Sequence, residues 1–386
     1  MLVFTLIMTG ICGCVSQEKI PPPQSIPGPS IIDLEDIAAS SSGIVLTDST
    51  GRDVTVPRNI SHVLCFGPGC MRYLAYLKAT DMASGADAIE RDTQSLLPLT
   101  YLIADPGIRT LPPFEKEPGI EDPALIAELS QKPDLIIRMG DNHHIAADEL
   151  QRITGIPVLV LHEGDLGYGR STMNYALRVM GVVLGKSERA DEVIRFFDKV
   201  TDNLQTRTWT IPDFQLKSAY LGGYSGPEPQ GLFATTSVYI PFNLVKVKKI
   251  GEEYANQNAL TGQYFIPKEA LSRMAPDAVF IDMTTWARKE NAISDLEKSE
   301  ILEGIPAVRN GEVYGLLPTA LYGEEHESDL INAYVIGKAL YPEKFTDVDP
   351  RIMADYIHAF LYGEPLYEEL NRGMGGMVLS RIPLFT

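Results

Sequence analysis

The spacing of apolar residues along the chain predicts short buried strands alternating with helices. The apolar runs that indicate buried strands lie at 62–66, 134–138 and 158–161. Between these runs, apolar residues recur every three or four positions at 123–129 and 146–153, which is the spacing of a helix with one buried face. Strands separated by helical stretches of about ten to fifteen residues indicate βαβ units and a parallel sheet. Residues 44–169 are therefore predicted to form an α/β lobe that begins with a β-hairpin at 45–56.

A long helix is predicted in the middle of the chain. Apolar residues recur there at helical spacing: Ala190, Val193, Phe197, Val200 and Leu204. A helix over 188–206 would be about 28 Å long at 1.5 Å per residue, long enough to join two lobes. After residue 212 the alternation of strands and helices resumes. The predicted fold class is α/β, with parallel-sheet lobes at 44–169 and 212–386 joined through the helices of 170–208.

The first 43 residues follow a different pattern. An apolar run from Leu2 to Ile11 precedes Cys14, and sequence rich in Pro and Ser follows. A short apolar run that ends in a small residue and a cysteine resembles a lipoprotein signal peptide, in which Cys14 becomes the lipidated N-terminus. The alternative is a transmembrane helix, but the run has ten residues where about twenty are needed. We therefore predict a signal peptide at 1–13 and a flexible tether at 14–43, although no Lys or Arg precedes the apolar run.

A lipidated Cys14 would place the protein at the outer face of the cytoplasmic membrane. The net charge of −18 repels nucleic acid and anionic lipid headgroups. Nucleic acid is therefore excluded as a partner, and attachment to the membrane would depend on the acyl chains rather than on a basic patch.

Two cysteines, Cys65 and Cys70, belong to the predicted first lobe. The Gly-Pro-Gly turn between them could bring their Cα atoms within the roughly 4.4–6.8 Å that a disulfide allows. Two buried free thiols also fit, because unpaired cysteine is often interior. The sequence favours the free thiols slightly.

Several segments recur in an order that is more specific than any one of them. They are the hairpin 48–57, Pro-Ala-Leu-Ile-Ala-Glu-Leu from 123 with Lys-Pro-Asp-Leu-Ile-Ile at 132–137, Thr-Gly-Ile-Pro-Val at 154–158, Pro-Asp-Ala-Val-Phe-Ile at 276–281 and Val-Arg-Asn-Gly-Glu-Val-Tyr at 308–314. In this order the chain resembles the iron-siderophore and cobalamin family of substrate-binding proteins of ABC importers. The resemblance implies two α/β lobes joined by one rigid helix, with a metal chelate held in the cleft between them. It also implies an ABC permease and a separate ATPase subunit as partners, a monomer, no catalytic residue and no intrinsic cofactor.

The candidate ligand-binding residues lie in loops that follow predicted strands, where open α/β sheets place their ligands. They are Gly67, Gly69, Arg138, His143, His144, His162, Tyr224, Trp286, Tyr322 and His326. Gly67 and Gly69 precede a helix whose amides could receive an anionic oxygen, or they serve only a tight turn. Arg, Tyr and Trp suit the anionic rim and flat faces of an organic chelate, whereas imidazole and carboxylate suit a metal.

Two other functions are weighed against a chelate receptor. A direct Zn or Mn receptor needs three or four convergent His and carboxylate side chains, and the histidine spacings match no compact ligand motif. An anchored extracellular hydrolase needs a nucleophile motif, and Gly-Tyr-Ser-Gly at 223–226 is one residue short of G-x-S-x-G.

The resemblance also implies one acidic docking residue on each lobe, which engages arginines of the permease. In the second lobe this position matches Glu269, seven residues before Pro276. In the first lobe the usual position falls on Ala124, and Glu121 or Asp122 is the nearest substitute. The alternative is that these acids only stabilise helix N-termini, by about 0.3 to 1 kcal/mol each.

Overall fold

The computed structural model describes residues 39–40, 43–93, 99–140, 143–224, 231–255, 262–287, 292–298 and 300–384. The predicted signal peptide, the lipidation site Cys14 and most of the predicted tether lie outside these residues.

The described residues contain both short strands and helices. The strands are β1 (Ala39–Ser40), β2 (Gly43–Thr47), β3 (Asp53–Val56), β4 (Val63–Phe66), β5 (Glu115–Glu117), β6 (Ile120–Glu121), β7 (Leu135–Met139), β8 (Val158–Leu161), β9 (Ser218–Gly222), β10 (Ala234–Thr236), β11 (Lys248–Lys249), β12 (Gln263–Phe265), β13 (Ala278–Asp282) and β14 (Val313–Leu316). The α-helices are α1 (Cys70–Tyr76), α2 (Ala88–Arg91), α3 (Thr100–Ala104), α4 (Pro123–Glu128), α5 (Ala147–Thr154), α6 (Arg170–Val183), α7 (Ser187–Thr208), α8 (Ile240–Leu244), α9 (Lys268–Met274), α10 (Ala292–Glu297), α11 (Glu300–Glu303), α12 (Pro306–Arg309), α13 (His326–Leu340), α14 (Pro350–Tyr362) and α15 (Tyr367–Gly373).

Two parallel sheets organise the fold. The first has the strand order β4-β7-β8, and the second has the order β11-β9-β13-β14. Every pairing within these two sheets is parallel. Every residue of β4, β7, β8 and β13 is buried, as expected for parallel strands that are covered on both faces. The predicted α/β fold class is confirmed.

The hairpin of β2 and β3 packs onto the end of the first sheet through its turn. The backbone N–H of Ser49 donates to the carbonyl oxygen of Val160 at 2.9 Å. The Asp48 carboxylate accepts from Thr50 at 2.9 Å and from Arg52 at 3.0 Å, which closes the turn. The hairpin therefore fixes the position of the carboxyl end of β8.

Helix α7 lies between the two sheets in the chain and has 22 residues. Its buried face includes Val193, Phe197, Val200 and Leu204, and it packs against α6, α8 and α13. Buried side chains of both sheets join this helix in one continuous hydrophobic cluster, whereas a smaller second cluster contains Leu64, Phe66, Ile136 and Val158 of the first sheet. Because such an interior is close-packed, we expect only small movements between the two halves.

Cys65 and Cys70 form a disulfide in the structure, with Cα atoms 5.5 Å apart. The bridge differs from the slight preference for free thiols that the sequence gives. Two glycines in the intervening turn explain how the chain reverses so tightly: Gly67 and Gly69 have φ values of 97° and 81°, in the region that favours glycine.

Candidate functional site

The carboxyl ends of β4, β7 and β8 open onto a cavity of about 730 Å³. The loops after these strands converge there because parallel strands end at the same edge of a sheet. They contribute Phe66, Gly67, Pro68, Met139, Gly140, His143, His162 and Glu163. The rest of the wall from the first half of the chain comes from Asp87, Ile89, Glu115, Pro118 and Gly119. Tyr322 comes from the loop after β14, so the cavity lies where the two halves of the chain meet.

Two histidines of the cavity wall are positioned by neighbouring groups. Nε2 of His143 lies 3.2 Å from the carbonyl oxygen of Met139, and its ring packs against Phe66 with centroids 4.9 Å apart. The backbone N–H of His162 donates to Oγ of Ser49 in the hairpin turn at 3.2 Å. Nε2 of His162 is buried, and among the described residues it has no hydrogen-bond partner. Buried polar atoms are rarely left in that state, so this nitrogen is a candidate ligand contact.

A hydrogen bond joins the two halves of the chain across the cavity wall. The Tyr322 hydroxyl donates to the carboxylate of Asp87, which also accepts from the backbone N–H of Gly67 at 3.1 Å. Asp87 caps α2 in a capping box with Glu90. Burial and then the charge of Glu90 raise the pKa of Asp87 well above its usual range, and burial raises the pKa of Glu90 to about 7. Asp87 therefore retains a proton more readily than a surface aspartate does.

The turn before α1 does not offer its amides to a ligand as the sequence predicts, because the carboxylate of Glu163 occupies it. A Cβ atom at Gly69 or at Gly323 would collide with this carboxylate. Oε1 of Glu163 also lies 3.6 Å from Nη1 of Arg72. The positive end of α1 is thus matched by a side chain of the protein, and Gly67 lines the cavity while Gly69 does not.

Arg138 lies at the end of β7 but does not line the cavity. Its side chain is buried and forms an ion pair with Glu121, and its Nη1 donates to the carbonyl oxygen of Ile145 at 2.6 Å. The same pairing buries Glu121, which is 3% exposed and is thus removed from any surface that could dock a permease. The sequence predicts a ligand contact for Arg138 and a docking role for Glu121; the structure instead pairs the two residues with each other.

Four more of the predicted ligand residues lie elsewhere. His144 is exposed beside the cavity residue His143, and Trp286 is 37% exposed in the segment after β13. His326 is fully buried at the start of α13, with Nε2 3.2 Å from the carbonyl oxygen of Gly164, and burial lowers its pKa to about 4. Tyr224 lines a second, smaller pocket. The structure therefore brings together four of the ten predicted residues: Gly67, His143, His162 and Tyr322.

Three carboxylates of the wall, Asp87, Glu115 and Glu163, are absent from the predicted ligand set. Glu115 accepts from the backbone N–H groups of Ala88 and Gly119, so its charge is held at the cavity edge. Glu163 directly follows His162 after β8, and that adjacency is a signal the sequence offered. Asp87 carries only the local signal of a capping box, which says nothing about a ligand.

The two remaining docking candidates are accessible to different degrees. Asp122 caps α4 by accepting from the backbone N–H of Ala124 at 2.8 Å, and it is partly exposed. Glu269 lies in the first turn of α9 and is exposed. Both are therefore also helix-stabilising acids.

No group of three or more His, Cys, Asp or Glu side chains is arranged to hold a metal ion within the described parts of the chain. Among the same residues, no helix is both long enough and apolar enough to cross a membrane.

Two parallel α/β sheets, a long helix between them and a cavity at their junction define a two-lobed solute-binding protein. Residues 127–320, about half of the chain, match the periplasmic binding protein family, and the chain belongs to that family. The resemblance inferred from the motifs is confirmed. The protein is a solute-binding component of an ABC importer that works outside the cytoplasm, and it is not an enzyme.

Solved structures with this fold include three with similar coverage. A periplasmic solute-binding protein from Veillonella parvula is 16% identical, covers 86% of this chain and 96% of its own length, and has a TM-score of 0.64. The molybdate-binding protein MolA of Haemophilus influenzae is 15% identical, with coverages of 83% and 98% and a TM-score of 0.61. CeuE of Helicobacter pylori with Ni(II) bound is 15% identical, with coverages of 86% and 98% and a TM-score of 0.57. No curated protein sequence gives a significant match.

Proposed function

We propose that this protein captures a metal chelate, with iron as the metal, and delivers it to the permease of an ABC importer. The observation that carries the proposal is a set of polar atoms in the cavity wall. Nε2 of His162 and Oδ1 of Asp87 are buried and lack hydrogen-bond partners among the described residues, and Glu163, which pairs with Arg72, lines the same cavity. Imidazole and carboxylate groups can complete the coordination of a metal whose chelator leaves positions open.

The charges of the cavity wall restrict the charge of the chelate that can bind. The wall includes three carboxylates, and none of its lining residues is Lys or Arg in the part of the chain that the structure describes. An anionic complex would meet repulsion there, so we propose a neutral or cationic chelate of the siderophore or cobalamin-like type rather than one with an anionic rim, such as the propionate edge of heme.

The size of the cavity favours a chelate over a bare metal ion. A volume of about 730 Å³ lies in the range of small-molecule pockets, roughly 300–1,000 Å³. A direct Zn or Mn receptor would instead show three or four convergent ligands, which the described residues do not provide. The metal contents of MolA and CeuE support a metal-containing ligand for this fold without identifying the one bound here.

The first test compares two ferric chelates by calorimetry on the purified protein. Fe(III)–nitrilotriacetate leaves coordination positions open to water or hydroxide, whereas Fe(III)–EDTA is anionic and nearly saturated. We expect binding of the first and none of the second. His162→Ala should weaken that binding at least about tenfold, because it removes an imidazole ligand worth ~1.4 kcal/mol or more.

His144→Ala is the matched control, since His144 is exposed and does not line the cavity. Its affinity for Fe(III)–nitrilotriacetate should equal that of the unmodified protein. Equal affinities for all three proteins, or tighter binding of the anionic chelate, would contradict the proposed ligand. Native mass spectrometry of protein from its own host would then identify the molecule that is carried.

We further propose that lipidated Cys14 and the tether keep the protein at the membrane, and that Glu269 and Asp122 dock it to the permease. Exposed rim charges mainly govern association rate and its dependence on salt. Glu269→Ala should slow uptake by the reconstituted transporter severalfold at low salt while chelate affinity stays unchanged. Glu364→Ala removes another exposed glutamate and should have no effect. Unaltered uptake by the Glu269 variant at low salt would leave that residue only its role at the start of α9.

A further inference from the structure

A second pocket lies between the two halves of the chain and, like the first, takes part of its wall from the loop after β14. Its volume is about 270 Å³. Asp165 reaches it from the loop after β8, and the second half of the chain supplies Tyr224, Tyr239, Glu324 and Asp329. No proposed chelate contact lines this pocket.

Asp329 is the unusual member of the pocket wall. It lies in the first turn of α13 and is only 2% exposed. Its Oδ2 is buried and has no hydrogen-bond partner within the described ranges. A buried carboxylate oxygen without a partner is costly, so the site is incomplete unless something donates to this atom.

The surroundings of Asp329 are acidic as well. Glu324 is partly buried on the same wall, and Asp165 uses its Oδ1 to accept from the backbone N–H groups of Gly167 and Gly169. Burial and then the charge of Glu324 raise the pKa of Asp329 well above its usual range, and burial raises the pKa of Glu324 to about 7. No lining residue is Lys or Arg among those that the structure describes. A cation in the pocket would therefore satisfy both the unpartnered oxygen and the excess of carboxyl groups.

The geometry points to an organic ammonium group as the occupant of this pocket, held by Asp329 and Glu324 against the rings of Tyr224 and Tyr239. Aromatic faces attract ammonium groups, and an ammonium group donates up to three hydrogen bonds. A metal ion is less suited, because the described acids are not arranged as a metal-binding group. The ammonium group could belong to a free alkylamine or to an amine arm of the transported chelate.

The test uses putrescine as the probe, with the diol of the same chain length as the neutral match. Calorimetry at about pH 8 keeps the amine charged, since alkylammonium groups titrate near pH 10. We expect putrescine to bind without any metal present and the diol not to bind. Asp329→Asn should weaken putrescine binding about tenfold or more. The variant should keep or raise the melting temperature, because it removes a buried carboxyl that lacks a partner.

Glu324→Gln provides a second variant at a less buried position and should also weaken binding, whereas Asp81→Asn, at an exposed aspartate outside the pocket, should not. Equal putrescine affinity in Asp329→Asn and the unmodified protein would overturn the proposal, as would equal binding of the diol. Binding of Mn²⁺ or Zn²⁺ with no binding of putrescine would also overturn it.

A competition experiment distinguishes the two sources of the ammonium group. If the group belongs to a free amine, saturating putrescine should leave Fe(III)–nitrilotriacetate binding unchanged. An amine arm predicts that adding an aminoalkyl group to the chelator raises affinity and that Asp329→Asn removes the gain. Putrescine binding is measured without metal. It therefore tests the ammonium site even if the protein proves not to bind an iron chelate.

Discussion

Replacing Arg72 with methionine should lower the free energy of unfolding by about 3–5 kcal/mol, the range found when one partner of a buried ion pair is removed. Arg72 lies on α1 and is fully buried. It donates to the carbonyl oxygens of Tyr322 and Glu324 at 3.3 and 2.8 Å and to the carboxylate of Glu325 at 2.9 Å. Because all three acceptors belong to the second half of the chain, the substitution also removes contacts that join the two halves.

The charge of Arg72 is shared among several buried acids. Glu327 lies 3.8 Å from its Nε and accepts from the hydroxyls of Tyr76 and Tyr362 at 2.5 and 2.6 Å. Burial raises the pKa of Glu327, but Arg72 and the two hydroxyls together lower it below its usual value. Without the guanidinium, Glu325 and Glu327 would be buried carboxyls with no cation beside them, and both would have to take up protons.

Arg351→Met is the matched control for this substitution. Arg351 is 59% exposed at the side chain and pairs with Asp349 at 2.7 Å. Exposed pairs of this kind contribute about 0–1 kcal/mol, so the control should unfold at nearly the denaturant concentration of the unmodified protein. Urea denaturation of the three proteins decides the matter. A loss below about 1 kcal/mol for Arg72→Met would mean that the buried acids relax without their cation.

The fold could be predicted from the sequence because buried positions recur along the chain with the period of a strand or a helix. Strands such as β7 and β8 are buried on both faces and appear as continuous apolar runs. Helix α7 buries one face and shows the spacing of Val193, Phe197 and Val200. Neither signal depends on which distant residue provides the contact.

The candidate site could be predicted only in part, because the partner of each side chain depends on tertiary packing. Arg138 lies near the end of β7 and His162 directly follows β8, yet Arg138 pairs with Glu121, while Nε2 of His162 has no hydrogen-bond partner among the described residues. Glu121 belongs to the separate pair of strands β5 and β6, and no local pattern links it to β7. His326 was expected in a loop, but it begins α13 and is packed among Tyr73, Tyr76 and Phe197.

The stability of the protein should fall as the pH rises from about 6.5 to 8. Burial raises the pKa of Glu90, Asp282 and Glu324 to about 7 in each case. In the unfolded chain these carboxyls lose their protons near pH 4, so between about pH 4 and 7 the folded protein holds more protons than the unfolded one. Stability contributed by such groups is complete below the unfolded pKa and is lost as the pH rises through the folded pKa.

Two buried histidines act in the opposite direction over a lower range. Burial lowers the pKa of His326 and His358 to about 4. Between about pH 4 and 6.5 the unfolded chain binds the extra protons, so these histidines make stability rise with pH there. At about pH 6.5 each histidine is still half protonated in the unfolded chain, so the two histidines together add about 0.8 kcal/mol of stability between about pH 6.5 and 8. Burial lowers the pKa of Lys249 to about 8, which adds a further small rise, but the buried carboxyls outnumber these groups and determine the sign of the slope.

The three carboxyls together should contribute a loss of about 2 kcal/mol between about pH 6.5 and 8, by proton linkage. The histidines and Lys249 offset about 1 kcal/mol of it, and further buried carboxyls with raised pKa, such as Asp87 and Asp329, add to it, so the net loss should be at least about 1 kcal/mol. Urea denaturation at fixed ionic strength across that range measures it. Glu90→Gln removes one of the three groups and should reduce the loss by about 0.7 kcal/mol, whereas Glu343→Gln, at an exposed position, should leave it unchanged. Stability that is constant or rises from about pH 6.5 to 8 would contradict this prediction. It would show that these carboxyls are already ionised in the folded protein, with cations or water offsetting their charge.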